Sequence, residues 1–228
     1  MTTDIDVVIP TLNAARSLAL TLDSLGGDHG LRLSCTVCDG GSRDDTTTIA
    51  QQAGAIVMVT EPGRGRQLAD GAMAGSASWL LFLHADTTLS VGWATAARRF
   101  MAEPVHAPKV GYFRLRFDSA DPRARRLERL VAWRCRTFGL PYGDQGFLVE
   151  RGFYRRTGGF RALPLMEDVD FVRRVGRRNL AVLDADAVTS AERYERDGWL
   201  ARPTRNLSCL ALYFAGLSPG VIRRLYGS

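Results

Sequence analysis

Residues 6–25 read DVVIPTLNAARSLALTLDSL: an apolar run, Asp6 to Pro10, breaks at Thr11-Leu12-Asn13 and gives way to apolar residues at helical spacing up to Leu25. A short continuous apolar run is the pattern of a strand buried on both faces, as in a parallel sheet, and the segment after it predicts a helix over Asn13 to Leu25. The alternation recurs. Leu33 to Cys38, Ala55 to Val59 and Trp79 to Leu83 are further apolar runs separated by segments of helical length. Ser42 and Asp45 suit a capping box opening the second helix. Repeated strand and helix predict an α/β fold.

After Trp93 the alternation stops. Val110 to Phe117, Phe147 to Glu150 and Leu180 to Ala185 read as strands, and Arg123 to Phe138, Glu167 to Arg178 and Leu200 to Ala215 as helices. This α+β half is expected to wrap the sheet within one continuous domain, since no repeat or low-complexity linker interrupts the chain.

The 228 residues are 46% apolar and 24% charged, an ordinary globular balance that excludes disorder and fibrous architectures for the whole chain. Thirty basic against 24 acidic side chains give +6, and because Lys109 is the only lysine the positive charge is carried by arginine. Lys109 has no glycine run before it, which excludes P-loop nucleotide chemistry, and nothing around it suggests a Schiff base. Arginine is an always-charged planar fork for phosphate, so the composition points to phosphate-bearing ligands, nucleic acid or an anionic surface, or to plain surface solvation.

Four cysteines are too few for a disulfide scaffold. Cys35 and Cys38 lie inside an apolar run with no second pair to complete a zinc site, so core packing is expected. No targeting pattern opens the chain and no run approaches the roughly 18 apolar residues of a membrane span. A cytoplasmic, reduced protein is expected.

Ligands of open parallel sheets bind beyond the carboxyl ends of the strands. The first strand delivers Pro10, Thr11 and Asn13 there, the second Asp39-Gly40-Gly41-Ser42-Arg43-Asp44-Asp45, and the fourth His84-Ala85-Asp86. Asp39 suits a carboxylate bonding a ribose or base, or an acidic turn before a helix. Asp86 suits a hard divalent cation, or a helix cap. Arg64, Arg66 and Gln67 follow the third strand and suit a diphosphate, while Leu68 stands where a dinucleotide fingerprint needs its third glycine. Glu167, Asp168 and Asp170 open a helix, either complementing its dipole or offering a general base.

Four segments in order, DVVIPTLN (6–13), CDGGSRDDT (38–46), LFLHADT (81–87) and GDQGFLVERGFYRRTGGFRALPLMEDVDFVRR (143–174), resemble the family 2 glycosyltransferases of the GT-A fold. The resemblance runs from about Asp4 to about Tyr194. With TSAERYERDGWLARPTRNL (189–207), the last segment is most similar to glycosyltransferases associated with arsenosugar biosynthesis or with radical-SAM/selenodomain proteins.

The resemblance implies a mostly parallel central sheet flanked by helices, with a GT-A domain over 1–198, divided into a nucleotide-sugar half (1–90) and an acceptor half (91–198), and a C-terminal helical tail over 199–228. It implies metal-dependent, inverting transfer from a nucleotide-diphosphate sugar, with UDP the expected nucleotide. Pro10, Thr11 and Asn13 would flank the nucleotide, Asp39 would bond its base or ribose, and Arg64, Arg66 and Gln67 would lie near the diphosphate. Asp86 would hold Mg²⁺ or Mn²⁺, and Asp168 would deprotonate the acceptor. Asp144 and Gln145, in Gly143-Asp144-Gln145-Gly146, would position the sugar or acceptor together with Glu167.

His84 stands on the donor side, where many relatives carry an aspartate, which implies a weaker metal site or a different ribose contact. Asp184, Asp186 and Glu192 are candidates for a further cation ligand. The acceptor is expected to be a small molecule or lipid-linked, with Arg202, Arg205, Arg223 and Arg224 around the last helix suiting a peripheral membrane contact, or the helix a homodimer interface.

Two other classes compete. A non-catalytic nucleotide-sugar-binding protein shares these motifs, and a sugar-1-phosphate nucleotidyltransferase shares the sheet but needs a glycine-rich loop where Thr11-Leu12-Asn13-Ala14-Ala15 stands. Nucleic-acid binding by the arginines of Arg123 to Arg136 is disfavoured because no stacking aromatics are interleaved in a recognisable nucleic-acid fold.

Overall fold

The computed structural model describes residues 4–27 and 30–226. β1 (Ile5–Thr11), α1 (Leu18–Leu25), β2 (Leu33–Asp39), α2 (Thr46–Gln52), β3 (Ile56–Val59), α3 (Arg64–Ala74) and β4 (Trp79–Phe82) alternate, and their four strands run parallel in the order β3-β2-β1-β4. The chain continues as β5 (Thr87–Leu89), α4 (Trp93–Ala102), β6 (Val110–Phe117), α5 (Pro122–Phe138), β7 (Phe147–Glu150), α6 (Arg151–Arg156), α7 (Glu167–Val175) and β8 (Leu180–Thr189). Three helices close it: α8 (Glu192–Asp197), α9 (Ala201–Phe214) and α10 (Pro219–Tyr226). The second half extends the same sheet as β4-β7-β6-β8-β5, with β7 antiparallel to β4 and β6, β8 parallel to β6, and β5 antiparallel to β8.

Side-chain alternation along the buried strands builds two cores. Ile5, Val7 and Ile9 of β1 meet Leu18 and Leu22 of α1 and Trp93 and Phe100 of α4 on one face, while Val8 meets Leu68 and Ala72 of α3 on the other. Helix α3 lies very close to the sheet, because a Cβ on Gly71 would overlap Val8 and Cys38. Cys38 is thereby a core residue, and burial pushes the thiols of Cys35 and Cys38 up to about 12, far from thiolate chemistry.

Several boundaries differ from the sequence expectations for identifiable reasons. Helix α1 begins at Leu18 rather than Asn13, since Asn13 adopts a left-handed φ of 52° and ties the loop to the end of β2. Ser42 does not cap α2: its hydroxyl donates to Asp39 and accepts from the Asn13 N–H. Helix α7 stops at Val175 because Gly176 turns to φ 79°, and Arg177–Asn179 form a 3-10 turn. Strand β8 runs on to Thr189 by pairing with β5, a three-residue strand too short to announce itself.

The two halves of the sheet are pinned by a buried ion pair. Asp6 of β1 and Arg151, at the start of α6 directly after β7, are 4% and 7% exposed and share a charge-assisted hydrogen bond. Asp6 also accepts from the Ala77 N–H at 2.8 Å, and Arg151 donates to the carbonyls of Ala77 and Ala72. One guanidinium thus satisfies groups from β1, α3 and the lead into β4, next to β7 itself. Removing one partner of such a pair strands the other charge in the core. Arg151→Met is therefore expected to lower unfolding stability by about 3–5 kcal/mol, with Asp6→Asn in the same chain restoring part of it. Urea denaturation of the single and double variants measures both.

Candidate active site

The loops after β1 and β2 form one clamped unit. Asp39, 2% exposed, accepts from the Thr11 hydroxyl at 2.9 Å, from the Gly41 and Ser42 N–H groups at 3.0 and 2.8 Å, and from the Ser42 hydroxyl. Burial works to raise its pKa, but these bonds from Ser42, Thr11 and Gly41 outweigh burial and hold the carboxyl below its usual value. Asn13 Oδ1 accepts from the Arg43 N–H at 2.9 Å, Thr46 Oγ1 accepts from the Ala14 N–H at 2.8 Å, and Asp44 Oδ2 accepts from the Ala15 N–H at 3.1 Å. Pro10, Thr11, Asn13 and Asp39 thus stand on one rigid rim at the carboxyl ends of β1 and β2.

A second group surrounds a cavity of about 420 Å³. His84 and Asp86 enter from the turn between β4 and β5, Asp144 from a 3-10 turn over Gly143–Gln145, Met166 and Asp168 from the start of α7, and Arg64 from the start of α3. The elements approach closely. A Cβ on Gly143 would come within 2.6 Å of His84 Nε2, and one on Gly65 would collide with the Arg161 carbonyl, so both close approaches require glycine. Met166 holds a left-handed φ of 63° directly before α7, an unusual conformation for a non-glycine residue, placed here on the cavity wall.

The three carboxylates opening α7 separate into three tasks. Glu167, 1% exposed, pairs with Arg64 and joins α3 to α7, burial raising its pKa against the opposing charge of Arg64. Asp170 is taken by Arg174 at 2.7 Å and Arg161 at 3.3 Å. Asp168 faces the cavity, Oδ2 accepting from the Gly143 N–H at 2.9 Å and Oδ1 from the Val169 N–H at 2.7 Å. Each oxygen keeps lone-pair capacity for a ligand.

Asp144 is strongly perturbed. Its Oδ1 is sealed from solvent without a hydrogen-bond partner, and burial, reinforced by the charges of Asp168 and Asp86 against the opposing Arg134 and Arg64, raises its pKa from 3.8 to about 6.

Residues 6–163 match the glycosyl transferase family 2 profile. The chain belongs to glycosyl transferase family 2. No curated protein matches its sequence. Among solved structures, Staphylococcus aureus TarS 1-349 superposes with a TM-score of 0.63 at 15% identity, covering 98% of this chain and 69% of that one. The same protein in complex with UDP-GlcNAc gives 0.62 at 15% identity over 82% of this chain and 58% of that one. Mycobacterium tuberculosis glucosyl-3-phosphoglycerate synthase, in complex with Mn²⁺, UDP and glucosyl-3-phosphoglycerate, gives 0.55 at 20% identity over 82% and 70% of the two chains. These likenesses establish the GT-A fold, a mixed sheet flanked by helices with helices at the C-terminus.

In this family 2 chain, three residues expected to contact ligand have other work. Gln67 is buried and donates to the carbonyls of Thr11 and Cys38, both at 2.7 Å, linking β1 to β2. Gln145 donates to the Phe113 carbonyl at 3.0 Å and accepts from Cys135, Tyr142 and Arg134. Arg66 pairs with Asp70 one turn along α3 and does not line the cavity, unlike Arg64. Asp184 and Asp186 pair with Arg114, and Glu192 lies 4.0 Å from Arg16, so none of the three late carboxylates lines the cavity either. The wall does include residues the sequence reading left without a site role: Tyr142, Met166, Ser190, and Arg202, Arg205 and Arg223 of the closing helices.

The raised pKa of Asp144 fixes a sign. The folded state favours the neutral carboxyl, so the stability it contributes is complete below 3.8 and is lost as the pH rises through about 6. Asp144→Asn is expected to raise stability at neutral pH by about 1–2 kcal/mol and to flatten the decline over that interval. Thermal melts across the pH range test this.

Proposed function

We propose that this chain transfers a sugar from a UDP-sugar to an acceptor hydroxyl with inversion at the anomeric carbon. The observation that carries the reading is the convergence of Asp86, Asp144 and Asp168 on one cavity beside the clamped rim of Thr11, Asn13 and Asp39, in a family 2 chain. The rim suits the nucleoside: Thr11 and Asn13 flank it, and Asp39, held ionised, accepts from a ribose or base. The solved neighbours bound to UDP-GlcNAc, or to UDP with Mn²⁺, support this choice of donor.

The donor set fits a hard divalent cation, Mg²⁺ or Mn²⁺. Asp86 and the partnerless Oδ1 of Asp144 are oxygen ligands of the right kind, and no cluster of three metal-ligating side chains forms among the described residues. A cation held by one or two carboxylates and completed by phosphate oxygens and water is the arrangement Mg²⁺ favours. When bound, such a cation neutralises charge gathering on the departing diphosphate.

Asp168 is the base. Backbone N–H groups of Gly143 and Val169 fix its carboxylate on the cavity wall, where it takes the proton of the acceptor hydroxyl as that oxygen bonds to the anomeric carbon and the bond to UDP breaks. The Arg64–Glu167 pair holds the start of α7 in place. The motifs after Gly143 support assigning the chain to the arsenosugar-associated branch, and four free cysteines suit a reducing compartment such as the cytoplasm. Among the described residues no helix is long and apolar enough to cross a membrane. A sensor with the same fold needs no base, and this separates the second reading.

UDP with Mn²⁺ is expected to raise the melting temperature, and Asp86→Ala to abolish that shift. Absence of any shift in the wild-type chain would sink the donor assignment. Asp168→Asn is expected to keep the UDP shift and to lower transfer by about 10²–10⁴-fold. Measuring UDP release with a competent acceptor decides this, and unchanged turnover removes Asp168 as the base.

A further inference from the structure

Three arginines of the closing helices line the catalytic cavity without a role in the reaction above. Arg202 stands in the first turn of α9 and Arg205 in the second, and Arg223 stands in the last turn of α10. For Arg202 the placement is electrostatically unfavourable. The start of a helix carries the positive end of its dipole, where acidic side chains stabilise and cations do not. Here the first turn of α9 has no acidic residue and carries Arg202.

Counter-charge is also short. Arg202 reaches Asp197 at 3.1 Å, yet its Nε is buried with no hydrogen-bond partner. Arg205 and Arg223 make no ion pair among the described residues. Arg114, Arg125 and Arg174, by contrast, are closely paired with carboxylates. Three guanidinium groups on one cavity wall, one of them at the positive end of a helix, are a cost that a bound oxyanion relieves, and the arginine fork matches phosphate.

The position in the cavity says which substrate carries that anion. Thr11, Asn13 and Asp39, the nucleoside side of the proposed site, do not line it; its wall joins Asp86 and Asp144, on the cation side, to Asp168 and the arginines of α9 and α10. A molecule filling the space between Asp168 and α9 is the one whose hydroxyl Asp168 deprotonates. We propose that the acceptor bears a phosphate group as well as its hydroxyl, and that Arg202, Arg205 and Arg223 bind that phosphate and set acceptor specificity. The inference rests on the glycosyl-transfer reading for calling the molecule an acceptor.

The phosphate can belong to a water-soluble ester or to a lipid. An apolar groove of about 270 Å³ between α5 and α9 shares Tyr142, Asp144, Tyr194 and Asn206 with the cavity, and Leu127 and Leu207 line it further out. It offers a continuous path for a chain attached to a phosphate seated at the arginines.

The test is calorimetric binding to the full chain in UDP and Mn²⁺, with two probe pairs: glycerol 3-phosphate against glycerol, and hexanoyl-lysophosphatidic acid against monohexanoylglycerol. In at least one pair the phosphate probe is expected to bind tenfold or more tightly than its uncharged counterpart. Preference in the first pair identifies a soluble ester, and preference in the second alone identifies a lipid. Arg205→Gln and Arg223→Gln are each expected to weaken the phosphate probe by about tenfold and to leave the affinity for UDP unchanged, which also shows that the variants are folded.

The proposal is overturned if neither phosphate probe is preferred, or if the substitutions weaken UDP as much as the probe, which would move the arginines to the donor. Failure of the wild-type chain to bind UDP at all is a different result. It removes the transferase reading, while arginine-dependent phosphate binding would still establish the anion site.

Discussion

The buried pair of Asp6 and Arg151 holds together a sheet whose two halves are built on different rules. On one side of it, strands buried on both faces are joined by short crossover helices. On the other, β7 enters antiparallel and recruits β6 and β8 from a long, irregular stretch of chain. Parallel strands fix one another through their crossovers, but β7 has no such connection to β4. Its backbone ladder to β4 is reinforced by side chains, for the residue immediately after it places a guanidinium among groups of β1, α3 and the lead into β4. The Gly143–Gln145 turn, directly before β7, is located by the same attachment, and with it Asp144 and the N–H that orients Asp168.

The cleft follows from how tightly its floor is packed. Glycines at 65, 71 and 143 let α3 and the turn before β7 come closer than any side chain would allow. Such closeness leaves little room for water, so acidic side chains must bond to backbone or to arginine, or stay charged at a cost. Asp39 and Glu167 take the first two courses, while Asp144 is left with a sealed, partnerless oxygen. A carboxyl with a sealed, partnerless oxygen beside two others is poor for stability, a cost that the proposed cation would relieve.

Legibility in the sequence followed the source of each feature. Buried parallel strands announce themselves as apolar runs, so β1 to β4 and the rim beyond them were readable. Local punctuation was less reliable: Ser42 and Asp45 have capping-box spacing, but the Asp39 carboxylate competes for the Ser42 hydroxyl and wins. Long-range polar bonds left no mark at all. Gln67 and Gln145 stand in segments expected to meet ligand, and their amides satisfy backbone carbonyls 56 and 32 positions away. Arg151 gives no hint that its partner lies in the first strand, because a residue type says nothing about a contact 145 positions distant.

The arginine-borne charge is explained by this division. Many guanidinium groups that look like a basic surface are neutralised within the chain: Arg116 and Arg125 share the buried Glu128, Arg114 bridges Asp184 and Asp186, and Arg161 and Arg174 share Asp170. A nucleic-acid surface would need those groups free and arrayed together. Arg202, Arg205 and Arg223 of α9 and α10, short of counter-charge, instead line a concave wall shared with Asp86, Asp144 and Asp168. Low dielectric and close walls focus the field of such a group, so a few unpaired arginines inside a cleft attract an anion more strongly than the larger number scattered outside. The functional share of the net charge is therefore decided by which arginines the fold leaves unpaired, a property of tertiary structure that a count of residues does not contain.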